Sequence, residues 1–441
     1  MRISLPEKVN RIIRELKRRG FDAYAVGGCV RDSVLGREPE DWDITTSARP
    51  EQVKEIFPHT VDTGIAHGTV TVLLEREGFE VTTYRIDGEY EDARHPKEVV
   101  FTPNLLEDLK RRDFTMNAMA YNDETGLVDA FDGIGDMKRK VIRCVGEPRE
   151  RFGEDALRML RAVRFAAQLG FSIEEETKRA IKELAPALEK ISAERIQTEL
   201  VKLLVSPHPE EMRTVYQLGI SDVILPEFSA MMQTEQHTIH HIYTVGEHTI
   251  HAMQNVRPEK VLRLTMLLHD VAKPVCRSEE ADGTHHFKGH PQVGAEMARQ
   301  ILRRLKFDND TIHKVTALVR THDDRPPLDE RNIRRAIHRN GIEQYPAVFA
   351  VQRADVLAQS DIYKKDKLQC LDEYERIYLY IKKQQQCLSV KDLAVNGSDL
   401  IAAGMKPGKE IGQVLNRMLE TVLENPELNQ KETLLEMWRS W

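Results

Sequence analysis

With 441 residues, 41% of them hydrophobic, the chain exceeds what one core ordinarily supports, so two to four domains are expected. Its 64 Lys+Arg against 71 Asp+Glu leave a formal charge of -7, which excludes a protein that lives on non-specific attraction to nucleic acid. A specific RNA partner stays open, and basic runs such as "RIIRELKRR" (11–19), "LKRRD" (109–113) and "RNIRRAIHR" (331–339) read first as solvated helix faces.

Cys29, Cys144, Cys276, Cys370 and Cys387 are scattered and form no CxxC pair, so neither a disulfide framework nor a thiolate zinc site is indicated, and a reducing cytoplasm fits. No apolar run approaches 18 residues, and the charged, amphipathic start carries no export signal, so no membrane partner is expected. Residues 1 to about 20 have a helical period that stops at Gly20. "AYAVGG" then reads as a short strand, and "TVTVLLE" and "FEVTTYR" alternate as strands do, so the chain opens on an α/β head. In "GEDALRMLRAVRF" (153–165), Glu154, Asp155, Arg158, Arg161 and Arg164 recur every three or four residues and on one helix would line one side, either as a solvated face or as a reader of a ligand. From Ser192 the pattern is helical, with a partial capping box in which Arg195 stands where Glu is usual. "SPHPEE" (206–211) marks a break, and twelve of the sixteen histidines fall between 237 and 338 and suggest a separate domain. The remainder is helical by period, with a polar "KKQQQ" tract and a break at "GMKPGKE".

"YAVGGCVRDSVLG" followed by "EDWDITT" places a strand, Gly27-Gly28, a helix and a second strand carrying Asp41 and Asp43 in sequence. Residues i and i+2 of a strand point the same way, about 7 Å apart, so the two carboxylates can share divalent ions, while the glycines let backbone N–H groups approach phosphate. In this order the parts are those of a nucleotidyl transferase. "VGGCVRDSVLG...PEDWDITTSA" resembles the signature of the class II tRNA nucleotidyltransferases, the family of bacterial CCA-adding enzymes and poly(A) polymerases. The resemblance implies Asp41 and Asp43 as catalytic carboxylates binding Mg²⁺, and Gly27, Gly28, Arg31 and Asp32 as phosphate contacts. It extends to "LEDLKRRDFTMNAMAYN", with Arg111, Arg112, Asp113 and Asn117 at matching places; guanidinium forks suit a triphosphate. Glu80 is a candidate third carboxylate, against its reading as an exposed strand residue. "DGEYEDARHPKEVVF" (87–101) resembles the loop of family members that complete the terminal A. Arg94 matches there and His95 replaces an Arg.

An Asp and an Arg three residues apart match the Watson–Crick edge of cytosine or adenine: the carboxylate accepts from the exocyclic amine and the guanidinium donates to the ring acceptor. Uracil and guanine reverse both positions, leaving polar groups unpaired at about 1 to 3 kcal/mol each. Asp155 and Arg158 are thereby expected to select C and A without a nucleic-acid template. This agrees with the family's "EDxLR" motif, which maps onto Glu154, Asp155 and Arg158, and leaves Arg161 and Arg164 to the triphosphate or to support of the helix face.

"YTVGEHTI", "LLHDVAKP", "FKGHPQVGA", "RTHDD" and "QRADVLAQ" supply His248, His269, Asp270, His290, His322 and Asp355 in the order H, HD, H, H, D, which resembles the HD phosphohydrolase superfamily. The resemblance implies a divalent metal (Mg, Mn, Ni, Fe or Zn) and phosphoester hydrolysis. The same histidines are also open to a plainer reading, since His237, His240, His241, His251, His285 and His286 crowd the region. The expected architecture is an α/β nucleotidyltransferase head with a five-stranded mixed sheet (1–150), an all-α neck carrying the selector (151–230), an HD domain (231–360) and a helical tail contacting the tRNA acceptor end (361–441). The expected function is CCA addition from CTP and ATP. An A-adding enzyme or poly(A) polymerase of the same class, or a metal phosphohydrolase with a nucleotide-sensing head, are the alternatives, and the oligomeric state is open.

Overall fold

A computed structural model of the chain describes residues 2–87, 99–238 and 242–441; the Arg94 and His95 loop, His240 and His241 lie outside the described residues. Two compact units divide at Pro226, Met1–Pro226 and Glu227–Trp441.

The first unit opens on a helix, Glu7–Arg18, whose Val9, Ile12, Ile13 and Leu16 share the buried face. Each such side chain contributes about 1.5 to 3 kcal/mol on burial. The strands that follow are β1 (Ala23–Val26), β2 (Ile44–Thr46), β3 (Thr60–Gly64), β4 (Thr69–Leu74), β5 (Glu77–Thr83), β6 (Met119–Asn122) and β7 (Gly126–Asp129). They form one sheet in the order β3-β4-β5-β2-β1-β6-β7. All neighbours are antiparallel except β2 and β5, which run parallel with Ile44 opposite Val81. The sheet is therefore mixed, as expected, but has seven strands among the described residues rather than five. Its two outer strands hide from a pattern search because β3 is largely exposed and β7 half-buried throughout, so neither carries the apolar alternation of a half-buried strand.

The predicted continuous charged helix is corrected. It is two helices, Pro148–Glu154 and Leu157–Leu169, parted by Asp155 in an extended conformation (φ -143°, ψ 102°). Asp155 accepts the Leu157 N–H on its side chain at 3.1 Å, the local hydrogen bond that lets an Asp compete with helix and start the next one. Leu157–Leu169 packs along a third helix, Ala193–Leu204, which follows Ser192 with no side-chain cap bond, in keeping with the incomplete capping box.

Among the described residues the second unit is helical apart from loops and a short hairpin pairing Ser278–Glu279 with His285–His286. Ile333, Ile337, Tyr378, Ile381, Leu419 and Val422 lie in one of its cores. No helix of the described residues is long and apolar enough to cross a membrane.

Candidate active sites

Gly27 ends β1 at φ +82°, a left-handed conformation that costs a side chain, and a Cβ there would stand 2.9 Å from Arg112 Nη1. The chain turns at this point into the helix Gly28–Val34. Asp41 and Asp43 do not sit within β2 as expected but in the extended segment leading to it. The Asp43 carbonyl still accepts the Val26 N–H at 3.0 Å, so its backbone continues the ladder with β1. Burial pushes the Asp43 carboxyl up; Arg112 opposes this and Asp41 adds to it. Glu80 is likewise pushed up by burial and then by Asp43 and Asp41. Asp43 and Glu80, each disfavoured in its charged form by a neighbouring carboxylate, fit a hard divalent cation together with Asp41.

Beside them lies a cavity of about 420 Å³ lined by Gly27, Gly28, Arg31, Asp43, Arg111, Arg112, Asp113, Asn117, Asp155, Arg158 and Arg161. Asp43 and Arg31 also face a second cavity of about 700 Å³, in whose wall lie Asp32, Asp41 and Arg164. A relay of charged and amide groups fixes the first cavity. Arg31 forks onto Asp32 (2.9 and 2.8 Å) and donates to Asn117 Oδ1 (2.8 Å), Asn117 donates to Asp113 (3.0 Å), and Arg161 donates twice to Asp113 (3.0 and 2.6 Å). Burial alone would raise Asp113, but the Arg161 charge and the bonds from Asn117 and Arg161 outweigh it and hold its carboxyl well below the usual range. Arg158 donates to Glu154 (2.6 Å) and to the Arg151 and Arg111 carbonyls. Arg164 is turned away from the first cavity, paired with Glu199 at 2.7 Å and Gln168 at 2.8 Å.

Sequence reasoning missed three positioning groups. Asp108, fully buried, bonds Arg111 (3.0 and 2.7 Å), Arg112 (3.4 Å) and the Thr45 hydroxyl (3.1 Å). Arg195 takes both oxygens of Asp155, and Glu199 joins Arg161 to Arg164. Their partners lie 35 to 63 residues away apart from the Asp108 arginines, and no local period signals such a pairing.

In the second unit, six residues spread over more than a hundred positions converge in a buried cluster. His248 Nε2 stands 2.9 Å from Asp355 and 3.4 Å from His269 Nε2, while His290 Nε2 stands 3.4 Å from Asp270 Oδ1 and 3.3 Å from His322 Nε2. Two sets, His248-His269-Asp270 and Asp270-His290-His322, each hold three ligand atoms within 4.8 Å of one another and share Asp270. His269, His290 and His322 each place Nδ1 against a carbonyl, of Met266, Phe287 and Val319, at 2.7 to 2.8 Å. A carbonyl only accepts, so Nδ1 carries the proton and the Nε2 lone pair points into the cluster, the second-layer arrangement of metal-bound imidazole. Asp270 Oδ2 is buried, with Lys273 Nζ in ion-pair contact at 2.7 Å. These donors fit transition-metal ions. A cavity of about 670 Å³ opens on the cluster, with Lys288, Arg325 and Lys367 in its walls.

The first unit, with paired acids beside a glycine turn and a basic cavity of about 420 Å³, defines a nucleotidyltransferase, and the poly A polymerase head domain family matches residues 23–143. The RNA and SrmB-binding site of polymerase A matches 170–232, and the tRNA nucleotidyltransferase domain 2 matches 290–438. None of these matches covers His248, His269 or Asp270.

The CCA-adding enzyme of Lactiplantibacillus plantarum is 35% identical over 434 residues, covering 97% of this chain and 94% of that protein; that of Streptococcus mutans is 34% identical over 435 residues, with 97% and 95% covered. The crystal structure of the Bacillus stearothermophilus CCA-adding enzyme in complex with CTP matches with a TM-score of 0.70 at 31% identity, covering 98% and 96% of the two chains. The chain belongs to the CCA-adding enzyme family of the class II tRNA nucleotidyltransferases.

Proposed function

We propose that the head adds C, C and A to the 3′ end of tRNA from CTP and ATP, and that Asp155 and Arg158 choose the base. The observation that carries this reading is the placement of Asp155 and Arg158 in the same cavity as Asp43, the glycine turn and the Arg111-Arg112 pair. Arg111, Arg112 and Arg31 bind the triphosphate by charge-assisted bonds, and Asp108 holds the first two in place. Asp41 and Asp43, with Glu80 beside them, would hold Mg²⁺, which when bound neutralises phosphate charge and favours the acceptor's alkoxide. The acceptor 3′-oxygen forms a bond to the α-phosphorus as the α–β phosphoanhydride bond breaks and pyrophosphate leaves. The test is extension of a tRNA transcript ending at the discriminator base: two additions with CTP alone and a third when ATP joins. Addition restricted to a single A on transcripts already ending in CC would instead mark an A-adding enzyme, and a lengthening run of A a poly(A) polymerase.

The second unit carries a distinct reading. His248, His269, Asp270 and Asp355 would hold one divalent ion and Asp270, His290 and His322 a second, in an HD-type centre that hydrolyses a phosphoester. What supports it is the inward-facing Nε2 of His269, His290 and His322 together with an Asp270 shared by both ligand sets. Titration of metal-free protein with Mn²⁺ or Ni²⁺ should show binding that disappears in the His269→Ala, Asp270→Ala double variant; unchanged binding would remove the site.

A further inference from the structure

We infer that Arg195 is a positioning residue for base selection, leaving Asp155 Oδ2 as the atom that reads the exocyclic amine; this rests on the selector reading above. Asp155 sits in extended backbone between two helices, where neither helix restricts its side-chain rotamer. Its single local anchor among the described contacts is the Leu157 N–H on Oδ1 at 3.1 Å. Arg195 supplies the rest, with Nη1 3.2 Å from Oδ1 and Nη2 2.7 Å from Oδ2. A planar fork on a planar carboxylate fixes both its position and its tilt, which a single ammonium cannot do.

Each carboxylate oxygen accepts about two hydrogen bonds. Leu157 and Arg195 fill Oδ1, and Arg195 takes one position on Oδ2, so one acceptor position remains there for a ligand. A group so surrounded by donors presents acceptor capacity alone: it meets the amine of cytosine or adenine and opposes the carbonyl of uracil or guanine.

The helix that carries Arg195 is suited to this. It packs along Leu157–Leu169, and one turn further on its Glu199 bonds Arg164 at 2.7 Å and stands 3.7 Å from Arg161, which clamps Asp113 in the same cavity. Asp155 and Arg161 are therefore both referenced to one rigid helix, and a shift of that helix would move the selector and the cavity floor together. The Arg195 side chain is three-quarters buried, and methionine keeps most of the length of its apolar stem, so Arg195→Met removes the guanidinium while retaining much of the packing.

The experiment compares Arg195→Met, Arg195→Lys and Asp155→Ala in the full-length protein, measuring kcat/KM for CMP and for UMP addition to a tRNA transcript ending at the discriminator base. Arg195→Met should reduce the CTP-over-UTP preference about tenfold, the scale of one misplaced hydrogen bond. Arg195→Lys should recover part of it, since one ammonium reaches one oxygen. Equal slowing with both nucleotides in Arg195→Met, or a wild-type ratio there, while Asp155→Ala abolishes the preference, overturns the role of Arg195 alone. A preference that survives Asp155→Ala overturns the selector reading itself. Should Arg195→Met not fold, Arg195→Lys carries the same comparison, with a ratio equal to wild type counting against the inference.

Discussion

Glu80 stands beside Asp43 across the one parallel seam of the sheet. Val81 pairs with Ile44 there, so the residues before them, Glu80 and Asp43, are neighbours, and the Asp43 carboxylate disfavours the Glu80 charge. From sequence alone Glu80 is indistinguishable from a solvated strand residue, because strand neighbours 37 positions apart leave no trace in a local pattern.

Glu80→Gln should weaken metal use before it weakens nucleotide binding. With CTP saturating, the Mg²⁺ concentration giving half-maximal nucleotide addition should rise several-fold, while KM for CTP measured at saturating Mg²⁺ changes little. An unchanged Mg²⁺ dependence would return Glu80 to the status of a surface carboxylate.

Asp113 gives a pH-dependent stability. Its folded carboxyl lies below the ordinary value of about 3.9 because Arg161 and Asn117 overcome the effect of burial. A depressed acid contributes stability that is fully present above the unfolded value and is lost as pH falls through the folded one. Asp113→Asn should therefore cost about 3 to 5 kcal/mol near pH 7, as for one half of a buried ion pair. The gap in Tm between variant and wild type should close as pH drops below about 4. A gap independent of pH would mean that shape rather than charge is at stake.

Gly27→Ala should impair triphosphate binding without regard to the base. The residue must adopt φ +82°, and its new methyl would meet Arg112 Nη1 at 2.9 Å. KM should rise by a similar factor for CTP and ATP, measured by single-nucleotide extension of transcripts ending at the discriminator base and in CC.

His290→Ala and His248→Ala should each remove one of two Mn²⁺ equivalents from the second unit, as counted by calorimetric titration, whereas Asp270→Ala should remove both. The shared carboxylate predicts this asymmetry; equal losses for all three would indicate a single ion.

The chemistry was more legible in the sequence than the framework that holds it. The glycine turn, the paired acids and the Asp155-Arg158 pair lie within short stretches, and residue type at fixed spacing is enough to mark them. The clustered His and Asp residues of the second unit lie up to 107 positions apart, yet they show in the sequence because each sits in a short motif of its own. The break at Asp155 was hidden because the charge period runs through it undisturbed, while the capping bond that makes the break depends on one side chain. The outer strands β3 and β7, the buried Asp108 and the Arg195-Glu199 brace depend on partners distant in sequence, which periodicity does not report.

Restriction of addition to C and A by protein side chains alone is open to direct test. The most direct measurement is single-nucleotide extension by wild type and Asp155→Asn, with CTP, ATP, UTP and GTP offered separately on transcripts ending at the discriminator base and in CC. Wild type should add two C residues to the first and one A to the second, and neither U nor G to either. The Asn side chain, which can donate as well as accept, should narrow the CTP-over-UTP preference tenfold or more. Uniform slowing with all four nucleotides, or U addition by wild type at a rate near that of C, would contradict selection by protein side chains.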